Sequence, residues 1–153
     1  MLYPFATLPT MRLTRGTDIA LRVLMLTAVQ DEQTTVDELA AALDVPRNHV
    51  AKVVQRLAHS GLLLTVRGRS GGLRIAPEAL AWSVGQLVRD FEGDDEVIDC
   101  EDPPCPLRGA CRLRGALRRA HEAFLAELDA VSLHSLVEQP TGPLLHQLSA
   151  PRR

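Results

Sequence analysis

A chain of 153 residues holds one small core and a long helix, and is too short for two full domains. Hydrophobic residues make up 46% and aromatic residues 3%, which leaves Leu, Val and Ala to build the core. The net charge of −2 gives no global sign of a nucleic-acid binder, and no run approaches the roughly 18 apolar residues of a membrane helix.

The neutral total conceals a segregation of charge. Between Pro46 and Ala76 stand six bases (Arg47, Lys52, Arg56, Arg67, Arg69 and Arg74) and no acid. Between Asp90 and Asp102 stand eight acids and no base. A basic face suited to phosphates is therefore followed by an acidic loop.

Residues 1–10 lack the basic start and apolar run of a signal peptide, and read as a disordered extension with Met11 as an alternative start. The expected setting is a soluble, cytoplasmic protein with no membrane attachment. From Thr17, taken as the N-cap, Ile19, Val23, Leu24 and Leu26 recur at helical spacing. Thr35 and Glu38 carry a capping-box signature that opens a second helix through Leu43. Pro46 suits the first turn of a third helix, which runs to about His59 and is ended by Gly61. Two short helices and a tight turn form a helix-turn-helix pattern.

The third helix divides by face. Val50, Val53, Val54 and Leu57 point to the core, while Asn48, His49, Lys52, Gln55, Arg56 and His59 point largely away. Such a helix can read base edges in a major groove. The plainer alternative is a solvated polar face.

Two β-like runs follow, Leu62–Arg67 and Leu73–Ala76, joined by the glycine-rich tip 68–72. Arg67 and Arg69 at this tip can enter a narrow minor groove, or simply decorate a solvated hairpin. A fourth helix is expected from about Ser83 to Phe91, packing with Trp82 under this wing.

All three cysteines lie in the next stretch, Cys100, Cys105 and Cys111, with four and then five residues between them. An odd count argues against a disulfide framework, and a reducing cytoplasm leaves the thiols available as ligands. The spacing lacks the paired C-x-x-C of structural zinc sites and suits an iron–sulfur cluster with a fourth ligand from elsewhere. Zinc and a metal-free redox thiol group remain the alternatives. From Arg112 to about Val137 one helix is expected, roughly 40 Å long, with Leu117, Phe124, Leu128 and Val131 as its apolar stripe. So long a stripe asks for a partner, and a second copy is the simplest. Residues 140–153, with three prolines, read as a flexible tail.

The predicted fold class is mainly α with a small β-hairpin wing. The parts are an extension 1–10, a winged helix-turn-helix domain 11–92, a cysteine-bearing loop 93–111, a dimerisation helix 112–139 and a tail 140–153. Neither a phosphate-binding glycine loop nor a nucleophile–base pair is present, so no enzyme is expected.

Four strings carry a family resemblance: 11–22 (MRLTRGTDIALR), 47–54 (RNHVAKVV), 66–73 (VRGRSGGL) and 105–115 (CPLRGACRLRG). Together they resemble the Rrf2 family of winged-helix regulators, and within it the nitric-oxide-sensing iron–sulfur repressors. The resemblance implies a homodimer on operator DNA that lets go when nitric oxide attacks a 4Fe–4S cluster, one per subunit, with 2Fe–2S as the variant form. It implies Cys100, Cys105 and Cys111 as ligands and, from the partner subunit, Asp18. On residues alone, Asp18 is explained as an acid favoured at a helix N-terminus by about 0.3–1 kcal/mol. A histidine three residues after the last cysteine serves one related regulator; Arg114 occupies that position here. Arg108, Arg112 and Arg114 can offset an anionic cluster or be plain solvated charges. The implied DNA contacts are Arg47, Asn48, His49, Lys52, Arg56, Arg67 and Arg69. Two alternatives remain open. One is an iron–sulfur or redox regulator with another signal, the other a thiol redox or assembly protein that does not bind DNA.

Overall fold

The computed structural model describes residues 12–68, 71–93 and 95–149. The extension 1–10 and Arg69 at the wing tip lie outside the described residues. Helix α1 (Arg15–Ala28) begins one turn earlier than the sequence predicts. Thr14 is its N-cap, accepting from the Thr17 N–H, and Thr17 is fully buried. The burial has a cause: the Thr17 hydroxyl donates to Glu92, which also accepts the Thr14 N–H at 2.6 Å.

Helix α2 (Val36–Leu43) carries the capping box of Thr35 and Glu38. Asp44 then takes a left-handed conformation (φ 54°), and α3 (Arg47–His59) starts after Pro46. Gly61, at φ 74°, turns the chain out of α3, a conformation that costs glycine least. Strands β1 (Leu63–Val66) and β2 (Gly72–Ile75) pair antiparallel, with Leu63 opposite Ile75. Thr34, before α2, adds a bridge to Leu73 and so ties the wing to the helix-turn-helix.

Ile19, Val23, Leu24 and Leu26 of α1 meet Leu39, Val50, Val53, Val54 and Leu57 in one core. All nine are buried, Leu39 beside the eight that the helical spacing predicts. A 3₁₀ turn (Pro77–Ala81) leads to α4 (Val84–Glu92), whose own capping box pairs Ser83 with Gln86. Helix α4 packs mainly on α1 and α5 (Arg112–Asp129) rather than under the wing. Val84 and Val88 face Leu125, with Phe124, Leu128 and Val131 around them.

The long helix is shorter than its stripe suggests. It spans 18 residues, about 27 Å, and stops at Asp129. Val131 and Leu133 are taken by the end of the 3₁₀ turn: the Val131 carbonyl accepts from Val84 at 2.8 Å, and the Leu133 N–H donates to the Trp82 carbonyl at 2.8 Å. Burying Leu133 there outweighs continuing the helix. A short α6 (Leu133–Leu136) follows, capped by Ser132. The stretch read as a flexible tail instead forms α7 (Thr141–Ser149), which lays Leu145 into the core against α1 and α2. Among the described residues no helix is long and apolar enough to cross a membrane.

Candidate nucleic-acid interface and cysteine loop

Four apolar positions fix the rotation of α3, so its polar residues share the opposite side. Asn48, Lys52, Gln55 and His59 are exposed, and His49 is half-buried. Arg47 is exposed and forms an ion pair with Asp37 of α2 at 2.7 Å. A pair so open to solvent is worth about 0–1 kcal/mol and yields easily to a phosphate. Arg67 and Arg74 of the wing are exposed. Arg56 differs from the rest. Its guanidinium donates to the carbonyls of Asp90 and, at 3.4 Å, Phe91, and lies 4.1 Å from the Phe91 ring centre. Ser60 adds a hydroxyl bond to the Asp90 carboxylate at 3.1 Å.

The loop between α4 and α5 is built from turns. Asp99 accepts from the N–H groups of Glu101 (2.8 Å) and Asp102 (3.2 Å), and these bonds hold its carboxyl below the ordinary value. The Cys105 N–H donates to the Cys100 carbonyl, and the Arg108 N–H to the Cys105 carbonyl, both at 3.2 Å. Cys111 caps α5, its sulfur accepting from the Arg114 N–H at 3.5 Å. All three cysteines are free: Cys100 is buried, and Cys105 and Cys111 are half-buried.

Burial pushes the Cys100 thiol up; Arg114 opposes this, while Cys105, Glu96 and Cys111 add to it. Among the described residues, no three His, Cys, Asp or Glu side chains converge closely enough to hold a metal ion in this conformation. A cleft of about 660 Å³, lined by Asp95, Glu96 and Arg114, opens beside Cys100. Two of the three arginines near the last cysteine are paired with the loop's own acids. Arg114 grips Glu96 with two bonds (2.6 and 2.8 Å), and Arg108 meets Glu101 at 2.6 Å. The acidic and basic residues therefore hold the loop together.

Asp18 lies in the first turn of α1 and pairs with Arg22 one turn on, at 2.9 Å. Both side chains are about half exposed, at 46% and 54%, so Asp18 lies at the surface. Sequence reasoning missed Glu92, which ties the end of α4 to Thr14 and Thr17. It also missed Asp129, which takes two bonds of 2.7 Å from Arg89 and one of 3.2 Å from Ser83. These partners lie dozens of residues away in sequence, beyond any local pattern. One signal existed: Gly85, in the middle of the fourth helix's first turn. A Cβ there would stand 2.1 Å from the Asp129 carboxylate, so the glycine marks a close approach.

Residues 13–139 match the family model Rrf2, iron-dependent transcriptional regulator. NsrR of Streptomyces coelicolor, a helix-turn-helix transcriptional repressor, is 53% identical over 139 residues, covering 88% of this chain and 94% of that protein. NsrR of Geobacillus kaustophilus, a transcriptional regulator, is 39% identical over 84% of this chain and 90% of its own length. Among solved structures, CymR, the global cysteine regulator of B. subtilis, superposes with a TM-score of 0.66 at 20% identity, over 83% of this chain and 96% of that one. A winged helix-turn-helix frame, matched along nearly its whole folded length and sharing over half its residues with a repressor of this kind, places the chain in the Rrf2 family of iron-dependent transcriptional regulators.

Proposed function

We propose that this chain is a cytoplasmic, homodimeric repressor that binds operator DNA and releases it when nitric oxide reaches an iron–sulfur cluster on the cysteine loop. The observation that carries this reading is the 53% identity with a repressor, NsrR, across 88% of the chain. The donor set fits: three free thiols on one hydrogen-bonded loop, beside the Arg114 guanidinium, suit an anionic thiolate-ligated cluster. Cys100, Cys105 and Cys111 would hold a 4Fe–4S cluster, with Asp18 of the partner subunit as the fourth ligand. When bound, the cluster supplies iron that reacts with nitric oxide.

The chain's residues do the rest. A carboxylate is a poorer iron ligand than a thiolate, so Asp18 makes one corner the easiest to open. Its half-exposed position on α1 suits reaching a second subunit. Asn48, His49 and Lys52, in the first half of α3, take the base edges, while Arg47, Arg67 and Arg69 take phosphates and the minor groove. The two recognition helices then match half-sites about 34–36 Å apart, or a multiple of that.

The test is anaerobic purification, with iron and sulfide counted to separate 4Fe–4S from 2Fe–2S. Operator binding is then followed by fluorescence anisotropy at fixed salt, before and after stoichiometric nitric oxide. Loaded protein should bind at least several-fold more tightly than treated protein, or than Cys100→Ala, Cys105→Ala and Cys111→Ala; couplings of about 1–3 kcal/mol correspond to roughly 5–150-fold. Equal affinity before and after treatment overturns the switch. No affinity in any state would make this a thiol redox or assembly protein.

A further inference from the structure

We propose that Arg56 is a positioning residue, not a base reader, and that it carries the state of the cysteine loop to the recognition helix. The inference deepens the regulatory reading above and rests on it.

Arg56 stands one helical turn after Lys52, on the polar side of α3, and by sequence the two look equivalent. Their surroundings separate them. The Arg56 guanidinium is spent on the last turn of α4: it donates to the Asp90 and Phe91 carbonyls and stacks on the Phe91 ring. The final carbonyls of a helix lack partners within it, so a guanidinium there caps α4. Reading a guanine would require the same planar fork, presented to two acceptors on the base edge. Ser60, the residue that caps the C-terminus of α3, adds its bond to the Asp90 carboxylate.

What Arg56 holds is the root of the cysteine loop. Helix α4 ends at Glu92, and Gly93, at φ 83°, turns the chain directly into the loop. Elsewhere α3 packs on α1, α2 and β1, with α4 contributing little to its backbone neighbourhood. The Arg56 and Ser60 side chains therefore add polar links between two elements whose backbones approach at few points. With the loop drawn onto a ligand, the last turn of α4 stays helical and its carbonyls stay in place. Arg56 then fixes the C-terminal half of α3 at one inclination. With the loop released, Glu92 stays tied to Thr14 and Thr17 while the turn at Asp90 and Phe91 loosens, the guanidinium loses its acceptors, and the helix shifts relative to the groove. By linkage, any variant that cuts the bridge uncouples the two sites in both directions.

The experiment compares wild type, Arg56→Ala, Phe91→Leu and Lys52→Ala, each as full-length dimer. Operator affinity is measured for cluster-loaded and cluster-free protein, and amide exchange across 50–60 and 86–111 is followed in both states. In wild type, loaded protein should bind roughly 5–150-fold tighter than cluster-free protein. In Arg56→Ala and Phe91→Leu this ratio should fall toward one, because the loaded form weakens to the level of the free form. Lys52→Ala should weaken both forms by a similar factor and keep the ratio. In cluster-free wild type, amides 56–60 should exchange as fast as in cluster-free Arg56→Ala, while the loop itself still responds to loading in both proteins. An undiminished ratio in Arg56→Ala, or an equal loss in both states as for Lys52→Ala, overturns the proposal. If Arg56→Ala does not fold, Phe91→Leu decides, since it keeps apolar bulk while removing the ring beneath the guanidinium. A wild-type ratio of one overturns the regulatory reading and this inference with it; a large wild-type ratio kept in Arg56→Ala overturns this inference alone.

Discussion

Helix α3 has 13 residues and buries Val50, Val53, Val54 and Leu57, each no more than 7% exposed. Among the described residues of the loop 93–111, Cys100 alone is buried. The first element is fixed by apolar area, which salt does not screen and which needs no ligand. The second is held by turns and by the Glu96–Arg114 and Glu101–Arg108 pairs. Exposed pairs of this kind are screened by solvent and contribute little. A region with so few apolar contacts sits at the low end of local stability, where the binding of a ligand can order it and its loss can release it. One chain thus holds a firmly packed helix next to a loop with little apolar support of its own.

That contrast can be broken most forcefully in the core. Leu57, with no exposed surface, should cost about 2–5 kcal/mol on truncation to Ala. Leu107, 66% exposed in the loop, should change stability by no more than about 0.5 kcal/mol when truncated. Urea unfolding of the cluster-free protein checks both. Similar costs at the two positions would mean that the loop is packed as firmly as the helix.

Next in size is the chemistry of α3 and the wing. Lys52→Ala should lower operator affinity by about 1–3 kcal/mol if a base contact is lost. Arg67→Ala combined with Arg69→Ala should weaken binding on all sequences and flatten the dependence on salt. Titrations at several ionic strengths separate the two. An unchanged salt slope in the wing variant would remove the wing from the interface.

The two regions also differed in how far they could be read from sequence. In α1–α3 and the wing, the side-chain period reports burial directly, so the core and the Thr35 capping box follow from spacing. Where tertiary contacts compete with local pattern, the reading fails. The apolar stripe of α5 continues through Val131 and Leu133, but hydrogen bonds to Trp82 and Val84 take those residues out of the helix. Leu144, Leu145 and Leu148 near the prolines of the C-terminal stretch form α7, because the core still has surface to cover. At the site, the cysteines and the polar side of α3 were legible as residue types. That Arg56 faces α4 depends on a fold-level neighbour 34 residues away, which no periodicity encodes.

A smaller effect probes the joint between α4 and α5. Arg89, then Ser83, holds the Asp129 carboxyl below its ordinary value. A carboxylate depressed in the folded state stabilises above its unfolded value, and that contribution disappears as pH falls through the folded value. Asp129→Asn should therefore be less stable than wild type at neutral pH, with the gap narrowing as the solution is acidified below about pH 4. Denaturation midpoints of both cluster-free proteins across this range provide the check, and a constant gap would place the role of Asp129 in packing against Gly85 rather than in its charge.

The smallest stability effect belongs to Asp18, and its size is what makes it informative. As an acid in the first turn of α1 paired with the exposed Arg22, it should contribute about 0.3–1 kcal/mol to the cluster-free protein through the helix dipole. If it also ligates iron in the partner subunit, Asp18→Ala should shorten the lifetime of the loaded cluster in air far more than so small a loss of stability explains. The decay of the cluster's visible absorbance, set beside unfolding curves of the cluster-free variant, separates the two roles. A cluster as long-lived as that of wild type would leave Asp18 a helix-start acid. A short-lived cluster in a protein of nearly normal stability would instead make the weakest ligand a surface residue of the firmly packed domain. Opening that corner would then loosen the loop and the contact between subunits in the same step.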